Sequence, residues 1–287
     1  MLALDVGGTK LAAGLVSVGG VILTRGTTAT VGADAEALFG RVATLLDESR
    51  SVAERHGHRV IACGVGCGGP MTPGGEAVSP LNIPQWRQFP LRRRVDEHTG
   101  LETVVDNDAK ALAVAEGWLG AAAGEANYIG MVVSTGVGGG IVVDGRLLDG
   151  ATGNAGHIGH VIVEPDGRPC ACGGRGCLEA EISGPSIEAR TGQPPEIAST
   201  ETIERSGVLL GRALSSVMPL LDLRLATVAG SVALGFGAPF FAAAQAELAR
   251  GARIEFATGA RVVPGGLGDD GPLVGAAALG LRAVTRQ

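Results

Sequence analysis

Leu2-Ala3-Leu4-Asp5-Val6-Gly7-Gly8-Thr9-Lys10 opens the chain, and Leu11-Ala12-Ala13-Gly14-Leu15-Val16 follows it directly. A short apolar run, a glycine turn bearing a hydroxyl and a cation, and a second apolar run read as a buried β-hairpin. A Gly19-Gly20 turn and Val21-Ile22-Leu23-Thr24 add a third strand. The same order returns later. Tyr128-Ile129-Gly130-Met131-Val132-Val133 leads into Ser134-Thr135-Gly136-Val137-Gly138-Gly139-Gly140. Ile141-Val142-Val143, an Asp144-Gly145 turn and Arg146-Leu147-Leu148 then follow. The residues differ, so this is an echo of structure rather than a sequence repeat. Two such units imply two related α/β halves facing each other across a cleft.

Between the hairpins, Leu38, Val42, Leu45 and Leu46 recur at helical spacing within 35–55. Residues 60–65 and 103–105 read as buried strands, and a helix is expected over about 107–121, capped by Asn107 or Asp108. Helices at about 202–222 and 238–250 and a strand at 225–229 complete the second half. These readings put one domain at 1–107, joined by a C-terminal helix at about 273–287. The other domain spans 108–272 and carries a segment at 157–179 inserted after the second hairpin.

That segment holds His160, Cys170, Cys172 and Cys177, with Glu179 two residues on. Three thiolates and an imidazole are the ligand set of a closed tetrahedral structural Zn²⁺ site. The plainer alternatives are four unrelated residues, or a disulfide with a spare thiol. Clustering favours the metal, because three of the chain's five cysteines fall within eight positions. His157 is an alternative fourth ligand. Cys63 and Cys67 lie in an apolar, glycine-rich stretch and read as small buried hydrophobes.

Bulk composition narrows the function. The 287 residues are 45% hydrophobic and 18% charged, with a net charge of −6 and no basic block, which argues against nucleic acid as a main partner. No basic region precedes an apolar stretch at the N-terminus, so a cytoplasmic location with reduced thiols is expected. Residues 225–246 carry no charge and are long enough to span a bilayer. Gly230, Gly235, Gly237 and Pro239 divide them, so a strand, a turn and a packed helix are expected instead, with no membrane partner.

The first hairpin turn can hold an anion. Gly7 and Gly8 let backbone N–H groups approach closely, Thr9 adds a hydroxyl, Lys10 adds a cation, and Asp5 offers an oxygen to Mg²⁺. The second turn, with Thr135 and Gly136, supplies a matching set, so the pair is expected to clamp a nucleoside triphosphate. Asp108 sits where a strand should pass into a helix, and a carboxylate there can accept a proton from a hydroxyl. On that motif alone, capping the helix is the better account of Asn107 and Asp108.

Taken together these residues resemble the ROK family of sugar kinases over essentially the whole chain. The family's Asp-x-Gly-Gly-Thr-Lys pattern matches residues 5–10, its Asn-Asp pair matches Asn107-Asp108, and its Ser-Thr-Gly-x-Gly-Gly-Gly turn matches 134–140. Its Cys-x-Cys-Gly-x-x-Gly-Cys-x-Glu signature matches 170–179. The resemblance implies an actin-like ATPase (ribonuclease H-like) α/β fold and ATP-dependent phosphorylation of an aldohexose 6-hydroxyl. It assigns Asp108 as catalytic base, Asn107 to ring hydroxyls, His160 to both zinc and sugar, and Glu179 to the sugar near its anomeric end. Gly68 would line the pocket, and Gly230 and Ser231 would contact the nucleoside. A homo-oligomer, dimer or tetramer, is implied as well.

Two positions depart from the pattern. His157 stands where the family usually has Glu, a variant that resembles bacterial N-acetylmannosamine kinases. Gly66-Cys67-Gly68-Gly69-Pro70 is a looser form of the usual Gly-x-Pro-Gly segment. Glucose is therefore the default substrate and N-acetylmannosamine the runner-up, with polyphosphate an alternative donor. A sugar-responsive repressor or a sugar sensor without turnover is the competing class. The family's repressors carry an added helix-turn-helix ahead of this module, whereas the sequence here starts at the Asp5 hairpin.

Overall fold

The computed structural model describes residues 1–32 and 34–285. The chain divides into two compact units, 1–118 with 149–155 and 269–287, and 119–148 with 156–268. The boundary therefore lies after the helix that follows Asn107, where the sequence reading had put it before. That helix packs on the first sheet, which is why it joins the first unit.

In the first unit, β1 (Leu2–Val6), β2 (Lys10–Val16) and β3 (Ile22–Ala29) form an antiparallel meander. Helix α1 (Ala35–Arg55) follows, with Asp34 accepting from Ala37 N at its N-cap. Strand β4 (Cys63–Cys67) and, after α2 (Leu91–Thr99), strand β5 (Thr103–Asn107) add to β1 in parallel. The sheet order is β3-β2-β1-β4-β5. Strand β4 begins three residues later than 60–65 implied, because Cys63 is the first residue in register with both Leu2 and Thr103. Helix α3 (Asp108–Leu119) starts directly at the end of β5.

One face of this sheet buries Leu2, Leu4, Val6 and Leu11 against Leu38, Val42 and Leu46 of α1. The other face, through Ala3, Ala12 and Ala62, takes Leu273, Ala276 and Ala277 of the C-terminal helix Gly271–Thr285. Small residues are required there. A Cβ on Gly64 would lie 1.8 Å from the carbonyl oxygen of Ala276, so the helix backbone rests directly on β4.

The second unit repeats the plan. Strands β6 (Tyr128–Val133), β7 (Val137–Val143) and β8 (Arg146–Leu147) form an antiparallel meander. Asp144 and Gly145 join β7 to β8 with φ of 51° and 71°, the left-handed pair that a tight hairpin demands. Helices α4 (Leu178–Ile182), α5 (Gly184–Thr191) and α6 (Thr200–Leu221) precede β9 (Leu225–Ala229). Then come α7 (Ser231–Gly251) and β10 (Arg261–Pro264). Strand β9 pairs in parallel with β6 and β10, and the order is β10-β9-β6-β7-β8. Renumbered, this is the order of the first sheet, so the echo in the sequence is an echo of topology. The C-terminal helix Gly271–Thr285 is α8.

Helix α7 starts seven residues before 238–250 predicted. Gly237, at φ 60°, bends the helix instead of ending it. By length and composition α7 is apolar enough to cross a membrane. Its Val232, Ala233, Phe236, Phe240, Ala244 and Leu248 are buried in the core of the second unit.

Candidate active site

In the first unit the residues singled out gather at the C-terminal ends of the parallel strands. Lys10 O accepts from Gly7 N at 3.1 Å to close the first hairpin turn, and Thr30 Oγ1 donates to Gly7 O at 2.7 Å. Thr9 and Lys10 are exposed, while Asp5 is half-buried. Burial, then the nearby Asp108 charge, push the Asp5 carboxyl up to about 7 against the pull of Lys10. Gly66 of β4 lies between this pair of acids. A Cβ at Gly66 would sit 3.7 Å from Asp5 Oδ1 and 3.5 Å from Asp108 Cα. Cys67 is fully buried nearby, its thiol raised well above the usual range by burial and by Asp108 and Asp5.

Asn107 does cap α3, accepting from Ala109 N at 3.0 Å and Lys110 N at 3.4 Å. Asp108 is the first helical residue, and its Oδ1 accepts from Ala109 N at 2.8 Å. Burial raises the Asp108 carboxyl and the bond from Ala109 opposes the rise. One oxygen is thus anchored to the backbone.

Sequence reading missed the group that fixes this junction. Lys110 is 1% exposed, and its Nζ lies 2.9 Å from Asp106 Oδ1, 3.0 Å from Asp149 Oδ1 and 3.2 Å from Gly153 O. Asp106 Oδ1 also accepts from Asn107 N at 2.8 Å. The strand end and the first helical turn are therefore clamped on both sides of Asp108. Asn154 Nδ2 donates to Met71 O at 3.0 Å, and Asn154 Oδ1 accepts from Met71 N at 3.3 Å. This holds the loop that follows Gly68. The Asp106–Lys110 spacing of four on a helix start was the one available signal; Asp149 lies 39 residues away in sequence.

In the second unit, Gly136 O accepts from Ser134 N at 2.9 Å, which closes the turn over one residue fewer than in the first. Ser134 Oγ and Ser231 Oγ lie 2.9 Å apart, which brings the second hairpin and the Gly230-Ser231 junction of β9 and α7 together. Thr135 is exposed. Glu179, in the first turn of α4, accepts from Val137 N through Oε2 at 2.8 Å. A Cβ on Gly136 would stand 2.8 Å from the same oxygen. Glu179 thus holds the second hairpin turn, a link its place in the sequence did not reveal.

The ligand atoms of His160, Cys170, Cys172 and Cys177 all lie within 4.8 Å of one another. Cys172 Sγ and Cys177 Sγ are 3.7 Å apart, and Cys170 Sγ is 3.7 Å from His160 Nδ1. Zn–S bonds of ~2.3 Å at a tetrahedral angle give a sulfur–sulfur edge of about 3.8 Å, so the four residues fit the metal. A disulfide needs about 2.05 Å, and Cys172 and Cys177 do not form one at this separation. Burial is the first cause raising the Cys177 thiol to about 12, a penalty that a coordinated cation would remove. His157 is outside this group. It is exposed, with its ring 5.9 Å from the His160 ring and nearly parallel at 13°.

The model of the ROK family matches residues 1–283. The N-acetylmannosamine kinase of Escherichia fergusonii is 36% identical over 253 residues, covering 82% of this chain and 84% of that protein. The glucokinase of Streptomyces coelicolor is 35% identical over 280 residues, covering 95% of this chain and 84% of that protein. The crystal structure of a ROK glucokinase from Streptomyces griseus, in complex with glucose and AMPPNP, superposes with a TM-score of 0.84. It is 29% identical, and the match covers 98% of this chain and 99% of that one. The two sheets of identical order are those of the actin-like ATPase fold that these kinases have. On its length of match, its relatives and its fold, the chain belongs to the ROK family.

Proposed function

We propose that the chain phosphorylates the 6-hydroxyl of an aldohexose with ATP, glucose being the foremost substrate. The observation that carries this is Asp108. Its carboxylate stands at the start of α3 with one oxygen held by Ala109 N and with burial raising its proton affinity. Asp108 takes the proton of the 6-hydroxyl as that oxygen forms a bond to the γ-phosphorus and the bond to the ADP oxygen breaks. A base so placed contributes about a hundred- to ten-thousand-fold. By the family resemblance, Asn107, Gly68, His157, His160 and Glu179 are the residues assigned to the sugar.

For the nucleotide, the residues assigned are Gly7, Gly8, Thr9 and Lys10, and Thr135, Gly136, Gly230 and Ser231. Asp5 is the residue that would hold the Mg²⁺ accompanying ATP, which would supply neutralisation of phosphate charge. Zn²⁺ on His160, Cys170, Cys172 and Cys177 would be structural, since four protein ligands leave no open position. The clustered free thiols support action in a reducing compartment, and a homo-oligomer is the expected working form.

N-acetylmannosamine is the second reading, favoured by His157 in place of the family's usual Glu and by the relative of that activity. The test is ADP release with Mg-ATP against glucose, mannose, N-acetylglucosamine and N-acetylmannosamine, repeated with polyphosphate as donor. Turnover that Asp108→Asn abolishes without loss of sugar binding supports the proposal. Silence on every sugar from folded, zinc-loaded protein would move the reading to a sensor. His157→Glu should shift the substrate ratio toward glucose, and an unchanged ratio would clear His157 of that role.

A further inference from the structure

Away from the residues above, the second unit gathers three arginines about one carboxylate. Glu181 of α4 has a side chain 2% exposed, and its Oε2 accepts from Arg205 Nη2 of α6 at 2.7 Å. Its Oε1 accepts from Arg168 N at 2.7 Å, so the backbone of residue 168 is drawn to the same carboxylate. Arg190, in the last turn of α5, lies within electrostatic reach of Arg205, Glu181, Arg168 and Glu201.

Glu181 spends both oxygens on Arg205 and the chain at 168, and it leaves guanidinium donors over. Arg190 Nε and Nη2 and Arg205 Nη1 are shut off from solvent, with no hydrogen-bond partner among the described residues. A buried donor without an acceptor costs about 1–3 kcal/mol, and more when charged, so three at one place call for an acceptor. Charge points the same way. Three guanidinium groups against one buried carboxylate leave an excess of two, offset in part through solvent by exposed Glu201. The side chains of Arg168 and Arg190 are half-buried, and that of Arg205 is 31% exposed, so the group lies near the surface although these three donor atoms are closed off. Burial and the neighbouring Arg205 charge both lower the Arg190 pKa, and an anion would relieve the second.

We propose that Arg168, Arg190 and Arg205 form a binding site for a tetrahedral oxyanion, a phosphate group free in solution or carried on a small metabolite. Phosphate carries roughly −1.5 to −2 at neutral pH and accepts through several oxygens, which matches both the excess charge and the orphaned forks. This site is independent of the kinase reading and uses none of its residues.

Arginine Nε–Hε resonances of the full chain test it, with the nucleotide site filled beforehand by a non-hydrolysable ATP analogue. Inorganic phosphate and glucose 6-phosphate are titrated separately. Expected are saturable shifts of the Arg190 and Arg205 signals below about 1 mM, weakened at least about tenfold in Arg168→Met. Arg190→Met should abolish the response, and Arg168→Met keeps the test open if that variant does not fold. Tighter binding of glucose 6-phosphate assigns the site to a phosphorylated metabolite, and equal binding assigns it to the free ion. The absence of a saturable shift with either ligand up to about 10 mM, in folded protein, would overturn the proposal and leave these donors to water.

Discussion

Asp5→Asn should make the first unit more stable at neutral pH while removing activity. The Asp5 carboxyl is pushed up to about 7, chiefly by burial, from 3.8. Below pH 3.8 the group is protonated in both the folded and unfolded states and has no effect. Between 3.8 and 7 the unfolded chain gives up the proton and the folded chain keeps it, so stability falls as pH rises; above 7 it levels off. At about 1.36 kcal/mol per pKa unit the loss reaches about 4 kcal/mol, and solvent at a half-buried carboxylate reduces it to about 2–4 kcal/mol. Asparagine keeps the shape and cannot ionise, so the variant escapes the loss. Both tryptophans, Trp86 and Trp118, belong to the first unit, so urea unfolding followed by tryptophan fluorescence reads that unit directly. The measurement is the free energy of unfolding of both proteins from pH 4 to pH 8. The two should converge near pH 4 and separate by about 2–4 kcal/mol at pH 8. Parallel curves would refute the argument, because they would mean that Asp5 titrates alike in folded and unfolded chains.

Lys110→Met leaves Asp106 without its buried partner and should cost about 3–5 kcal/mol, with kcat falling more than sugar affinity. Equal damage to both would make Lys110 a purely structural residue, and a double mutant with Asp106→Asn isolates the pair. Cys172→Ser should lose zinc by elemental analysis and most sugar affinity with it, since structural zinc carries roughly 10–16 kcal/mol of apparent binding energy in small domains. Gly64→Ala should destabilise the first unit by more than about 3 kcal/mol, because its Cβ meets the Ala276 carbonyl and α8 must move away; a near-wild-type urea midpoint would contradict the packing.

What could be read in the sequence was whatever is local. Strand β1 declares itself because Leu2, Ala3, Leu4 and Val6 are all buried, with Asp5 the one polar interruption at the end that matters. The metal residues declare themselves because their ligand types stand close together in the chain. Helix α2 went unread because only Leu91, Val95 and Thr99 of its nine residues are buried, too few to show a period. The first turns of α7 were hidden by Gly235 and Gly237, whose effect is a bend that packing against the core tolerates. The Lys110 clamp and the arginine group were out of reach for another reason. Each joins side chains from separate elements, and neither Asp149 nor Arg190 has a neighbour in sequence that announces its partner.

Helix α8 is made after every other element of the first unit, yet it covers a face of the first sheet. A ribosome delivering this chain presents β1, β2 and β4 with Ala3, Ala12 and Ala62 bare on that side until residues 271–285 emerge. The segment at 149–155, which supplies Asp149 to the otherwise buried Lys110, likewise arrives late. The second unit, by contrast, needs nothing made after Gly268. During synthesis the second unit is therefore free to fold first, while the first unit waits for α8. A nascent chain stalled before Gly271 should present protease-sensitive strands at its N-terminus and a protected core downstream of them.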